Sequence, residues 1–166
     1  QNNVQGGGDM GAIPNKLPGF QDMKDDAVRA KYEAAWGATI SPEHGLHLTG
    51  MFEAMEHGTL KALYVVGENP AQSEADKQRA VALLRGLDHL VVQDLFLTRT
   101  AELADVVLPG CAGWAESEGT VTSSERRVQR VRKAVEPPGE ARDDIEIVYA
   151  LGSRLGADLG SPRAED

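Results

Sequence analysis

At 166 residues, 41% of them hydrophobic and 26% charged, the chain is long enough for one domain or slightly more and apolar enough to bury a core. Its formal net charge of −9 excludes a general nucleic-acid binder, which needs a cationic face. No apolar run approaches the ~20 residues that span a membrane, and a single cysteine, Cys111, excludes a disulfide framework and a cysteine-ligated iron–sulfur cluster within these residues.

The chain opens on Gln1 rather than Met and lacks a basic stretch followed by an apolar one. It is therefore expected to be an interior piece of a longer polypeptide without a secretory signal, and a cytoplasmic one. Residues 1–21 are punctuated by Gly6-Gly7-Gly8, Gly11, Pro14, Pro18 and Gly19 and read as an irregular segment. The three glycines suit either a surface turn or a close approach of backbone to a ligand. An amphipathic helix is expected over 25–36, with Val28, Tyr32, Ala35 and Trp36 on one face and Gly37 as its stop. A second helix, capped by Thr49 and ended by Gly58, turns Met51, Phe52 and Met55 inward.

From residue 60 the rhythm changes to strands alternating with helices. Strands are expected over 60–66, 87–92 and 105–108, with a helix over 73–85 (Ala80, Leu83 and Leu84 inward) and a short helix or turn over 98–103. Strands that are apolar throughout and separated by helices indicate an α/β fold with a parallel sheet flanked by helices on both faces. A hairpin-like excursion over 120–131 and a helix over 141–155, with Ile145, Val148, Leu151 and Leu155 inward, complete the pattern. The expected division is an irregular segment plus helices over 1–58, a Rossmann-like α/β domain over 59–156 and a tail over 157–166.

In such a sheet, ligands bind at the carboxyl ends of the strands, where loops and helix N-termini present backbone donors. After the first strand stands Gly67-Glu68-Asn69-Pro70: glycine permits close approach, Glu68 accepts from ribose hydroxyls, and Asn69 caps the next helix. After the second stands Gln93-Asp94, where a carboxylate matches the two donors of a guanine edge and mismatches adenine. The competing meaning is structural, with Asp94 capping its turn and Glu68 solvated. Elsewhere, His44 and His47 lack a carboxylate or cysteine cluster to complete a metal site, so they read as surface histidines. Ser123-Ser124 lacks a paired base, and neither a Walker sequence nor G-x-G-x-x-G occurs. Cys111 is expected to be a small buried apolar residue. The basic run from Arg126 to Lys133 suits a solvated strand, or one that docks a partner domain or an anionic cofactor.

Several segments together resemble the alpha (large) subunits of formate dehydrogenases, within the bis-molybdopterin guanine dinucleotide oxidoreductases. They are Gln1-Asn2-Asn3-Val4-Gln5-Gly6, Asp9-Met10-Gly11-Ala12-Ile13-Pro14, Gly67-Glu68-Asn69-Pro70, Gln93-Asp94-Leu95-Phe96-Leu97-Thr98, Glu118-Gly119-Thr120 and Glu125-Arg126-Arg127-Val128-Gln129-Arg130. The resemblance implies a molybdopterin-binding domain in which Gly67, Glu68 and Asn69 contact a ribose and phosphate. It makes Asp94 the guanine-binding carboxylate, with Gln93 and Thr98 beside it, and sets Gln1 close to the metal-proximal pterin. It also implies a bis-molybdopterin guanine dinucleotide cofactor holding molybdenum or tungsten, and a [4Fe–4S] cluster ligated outside these residues. Formate is the implied substrate, and the implied partners are the rest of a longer chain and iron–sulfur or flavin electron-transfer subunits. The cysteine or selenocysteine metal ligand, its histidine and the formate-orienting arginine of that family lie before Gln1, so the chain alone is expected to be inactive. Two alternatives remain: the non-catalytic pterin-like fold of an NADH dehydrogenase iron–sulfur subunit, and an ordinary nucleotide-binding domain.

Overall fold

The computed structural model describes residues 3–162. It contains two compact units interleaved in sequence: Gln1–Met51 with Thr120–Gln129, and Phe52–Gly119 with Arg130–Asp166.

In the first unit, helix α1 (Val4–Asp9) runs straight through the three glycines, where an irregular segment was expected. Glycine is a poor helix former, costing about 1 kcal/mol against Ala, but here it is needed for space. A Cβ on Gly6 would lie 2.1 Å from Asn3 Oδ1, and that oxygen accepts the Thr122 N–H at 2.8 Å. The glycine thus admits a side chain of its own unit rather than a ligand. Strands β1 (Lys16–Leu17) and β2 (Gln21–Asp22) form a small antiparallel pair. Helix α2 (Asp26–Trp36) starts where expected, because the Asp25 carboxylate accepts from the Ala27 and Val28 N–H groups, and it stops at left-handed Gly37. Its apolar stripe is only partly used. Tyr32 is half-buried and donates to Pro18 O at 2.7 Å, but Ala35 is exposed and Trp36 is 54% exposed, leaning on the Tyr32 ring. The periodicity was correct and the burial was not, since nothing in these residues covers that end of the helix.

Helix α3 (Leu48–Glu56) begins ahead of Thr49, so Thr49 is not its cap. His47 Nδ1 instead accepts the Gly50 N–H at 3.2 Å, which gives this histidine a structural role. The second unit is built on the expected parallel sheet, in order β3 (Ala62–Val66), β4 (His89–Asp94), β5 (Val106–Pro109). The single helix expected over 73–85 is two: α4 (Pro70–Ser73) and α5 (Lys77–Arg85). Asp76 causes the break, because its side chain accepts from the Arg79 N–H and starts a new helix.

The register pairs Leu63 with Leu90 and Val65 with Val92, so these four share one face. That face carries the core, with Phe52, Met55, Ala71, Ala80, Leu84 and Ala101 packed around Val65, Leu90 and Val92. Leu83, also expected inward, is half-buried. The opposite face is not covered along its length: Tyr64, Val66 and Val106 all remain exposed. Apolar side chains on both faces predict two coverings; among the described residues the core lies on one face, and even there Val107, beside Val92, stays exposed.

After β5 the chain forms the expected hairpin from β6 (Gly119–Thr122) and β7 (Val128–Val131). Helix α6 (Asp144–Arg154) follows and is capped by Asp143. Here the expected inward stripe is corrected: Ile145, Val148, Leu151 and Leu155 are exposed, and Ile147 is the buried residue. What orients α6 is a polar contact at its first turn, which hydropathy does not register. No helix among the described residues is long and apolar enough to cross a membrane.

Candidate functional site at the carboxyl ends of the strands

Parallel pairing brings the ends of all three strands to one edge. Gly67 N–H donates to Gln93 O at 2.9 Å, and Gly110 N–H donates to Asp94 O at 3.1 Å, so the three loops leave the sheet side by side. Gly67 turns the chain at φ +62° with open space where a Cβ would stand. A side chain there would be strained by backbone conformation rather than by crowding. Glu68 follows, fully exposed. Asn69 stands at the start of α4 but does not cap it with its side chain. Its Oδ1 instead accepts from the N–H and the hydroxyl of Thr100, at 3.2 and 2.8 Å.

At the last residue of β4, Asp94 is half-buried, and its Oδ1 accepts the Leu95 N–H at 2.7 Å. The remaining acceptor capacity of that carboxylate has no hydrogen-bond partner among the described residues, so it is available to a ligand. Leu95, Phe96 and Leu97 then stand exposed, Phe96 by 75%. Thr98 closes the loop, its hydroxyl accepting at 3.2 Å from the N–H of Ala101, the first residue of the short 3-10 turn Ala101–Leu103. A cavity of about 480 Å³ opens beside this loop, lined by Leu95, Phe96, Pro109, Gly110, Trp114 and Pro138. It falls within the ~300–1,000 Å³ of ordinary small-molecule and cofactor sites.

Gln93 is only 1% exposed, so its side chain does not reach a ligand freely. Tyr64 donates its hydroxyl to Gln93 Oε1, and Gln93 Nε2 donates to Asp144 Oδ1 at 2.5 Å. Partial burial of the Asp144 carboxyl raises its pKa; the Gln93 hydrogen bond opposes that rise, and the charges of Asp143 and Asp94 add to it. Burial likewise raises the Tyr64 hydroxyl, and the Asp144 charge adds. Cys111, 3% exposed, has its thiol pushed up by burial and then by Asp143, Asp144 and Glu116, so it stays protonated and unreactive, as expected of a core residue.

Gly67, Glu68, Asn69, Gln93, Asp94 and Thr98 therefore gather along one edge of one sheet. Gln1 lies outside the described residues. Tyr64, Thr100 and Asp144 join the site without a sequence signal of their own. Asp144 is 51 positions from Gln93 and reads in sequence only as one of two acidic residues opening a helix. The basic run is largely neutralised within each unit, by Arg126–Asp9, Arg130–Glu118 and Lys133–Glu136 ion pairs. No cluster of three or more potential metal ligands occurs among the described residues.

The molybdopterin oxidoreductase family matches residues 2–154. The chain belongs to that family. A molybdopterin-type cofactor goes with the family assignment. The chain is 50% identical over 157 residues to the F420-dependent formate dehydrogenase subunit alpha of Methanocaldococcus jannaschii, covering 94% of this chain and 23% of that protein. It is 41% identical over 157 residues to formate dehydrogenase H of Escherichia coli, covering 94% of this chain and 22% of that protein. Among solved structures it resembles acetylene hydratase from Pelobacter acetylenicus, at a TM-score of 0.55 and 31% identity over 65% of this chain and 15% of that one. The chain thus spans less than a quarter of the length of these molybdopterin-family relatives.

Proposed function

We propose that the chain supplies part of the guanine dinucleotide pterin site of a molybdopterin-dependent formate dehydrogenase. The observation that carries this reading is Asp94, a carboxylate at the end of the central strand with one oxygen anchored by Leu95 N–H and the other unengaged among the described residues. Such a group accepts from the N1–H and 2-amino donors of guanine, and charge-assisted acceptance is the stronger kind. Glu68, exposed at the neighbouring strand end, accepts from ribose hydroxyls, and Gly67 lets the backbone come close to phosphate. Asn69, Gln93 and Thr98 shape the two loops.

The cofactor of this reading is bis-molybdopterin guanine dinucleotide carrying molybdenum or tungsten. Such a group would supply, when bound, a two-electron acceptor for the conversion of formate to carbon dioxide and a proton. The [4Fe–4S] cluster and the groups that handle formate belong to a longer cytoplasmic parent. That parent passes electrons to iron–sulfur or flavin subunits and on to NAD or another acceptor. The alpha-subunit names of the methanogen relatives support a multi-subunit assembly. Asp94→Ala in the longer protein should lower its metal, pterin and guanine content together. Full occupancy and unchanged formate oxidation in that variant would overturn the guanine assignment.

A further inference from the structure

Asn69 was expected to serve the ligand directly, yet its side chain is engaged within the protein. Oδ1 receives two hydrogen bonds from Thr100, and Nδ2 donates to Gln72 Oε1 at 3.1 Å. Thr100 is 0% exposed and lies just past Thr98, in the connection that follows β4. Its hydroxyl has two partners from the β3 side: it donates to Asn69 Oδ1 and accepts from the N–H of Ala71, itself fully buried, at 3.0 Å. One side chain therefore spans the loop that carries Glu68 and the loop that carries Asp94. Two further bonds join these segments among the described residues: Gly67 N–H to Gln93 O, and the Thr100 backbone N–H to Asn69 Oδ1 at 3.2 Å.

We propose that Thr100 is a positioning residue that latches the Gly67–Asn69 loop to the Asp94–Thr98 loop, holding the two strand-end contacts at one fixed separation. The proposal rests on the reading of these loops as dinucleotide contacts. A dinucleotide engaged at its ribose and at its base needs both contacts at once, so loosening their separation weakens retention even when each contact survives. Thr100→Val keeps the shape of the side chain but removes the hydroxyl. The buried Ala71 N–H is left without a partner and Asn69 Oδ1 with one donor fewer. Thr100→Ser restores both bonds.

The test uses the longer, cofactor-loaded protein, comparing wild type with Thr100→Val, Thr100→Ser and Asp94→Ala. For each, the rate at which guanine dinucleotide pterin is lost on dilution and the melting temperature are measured. Thr100→Val should release the cofactor about tenfold faster, equivalent to about 1.4 kcal/mol, and Thr100→Ser should release it at the wild-type rate. A Thr100→Val protein with a lower melting temperature but a wild-type release rate overturns the latch. If Thr100→Val does not accumulate folded, Asn69→Ala removes both Asn69–Thr100 bonds, the ones that reach the Gly67–Asn69 loop, while leaving the Ala71 N–H bond to the Thr100 hydroxyl; wild-type release from that variant overturns the latch equally. Asp94→Ala separates the two ideas: wild-type retention there sinks the guanine reading, whereas fast release there with slow release from Thr100→Val sinks only the latch.

Discussion

Replacing Asp94 by Asn is a sharper probe of the guanine assignment than truncating it. The amide keeps the size of the side chain and an oxygen to accept the Leu95 N–H at 2.7 Å, so the turn after β4 has no reason to move. It places an NH2 where the unengaged carboxylate oxygen stood, so a donor faces one of the two donors of the guanine edge. One charge-assisted hydrogen bond is lost, about 1.5–3 kcal/mol. At about 1.4 kcal/mol per factor of ten, affinity for the guanine end falls roughly 10- to 150-fold. Stability should change by no more than about 0.5 kcal/mol, because the site is half-open and its local anchor survives. The assay is the guanine nucleotide released per protein after denaturing the longer enzyme, quantified by chromatography beside its melting temperature. Wild-type guanine content and exchange in Asp94→Asn would refute the reasoning, and an unfolded variant would refute the claim that Asp94 is not needed for the turn.

Three further outcomes follow from the same structure. Leu84 is 1% exposed in the core of the second unit, so Leu84→Ala should cost about 2–5 kcal/mol; a denaturant midpoint near wild type would show that this core is not cooperative. Asp144 carries a raised pKa, so the folded state holds its proton more tightly than the unfolded chain does. The wild type therefore loses stability as pH rises from the ordinary carboxylate range through that raised value. Asp144→Asn keeps an acceptor for Gln93 without titrating, so its midpoint should gain on wild type as pH rises above the ordinary carboxylate range, and a gap independent of pH would contradict the assignment. Cys111, buried with its thiol pushed up, should label with a thiol reagent only as fast as the protein opens; rapid labelling of the folded protein would show an exposed or activated thiol instead.

The strands and their loops were legible because a parallel sheet writes itself locally. Residues such as Leu63, Val65, Leu90 and Val92 must be apolar to be buried, and turn residues must follow each run, so the positions of Gly67 and Asp94 at strand ends could be read without coordinates. The helix boundary capped by Asp25 was legible, whereas the starts capped by Asp76, which interrupts one apolar period, and by Asp143 were missed. Burial was less legible than periodicity. Trp36, Ile145, Val148 and Leu155 lie on apolar stripes that these residues leave uncovered, and a stripe states only that a helix can be covered.

The sequence by itself determined the chemistry available at the site: a carboxylate at the end of β4, a glycine turn and a carboxylate after β3, and no cysteine cluster. Only the tertiary structure decided how those groups are held. Thr100 meets Asn69 across 31 positions, and Gln93 is fixed between Tyr64, 29 positions away, and Asp144, 51 positions away. Such pairs have no period and no spacing rule, because they arise where the strand ends are brought together and buried polar groups must find partners.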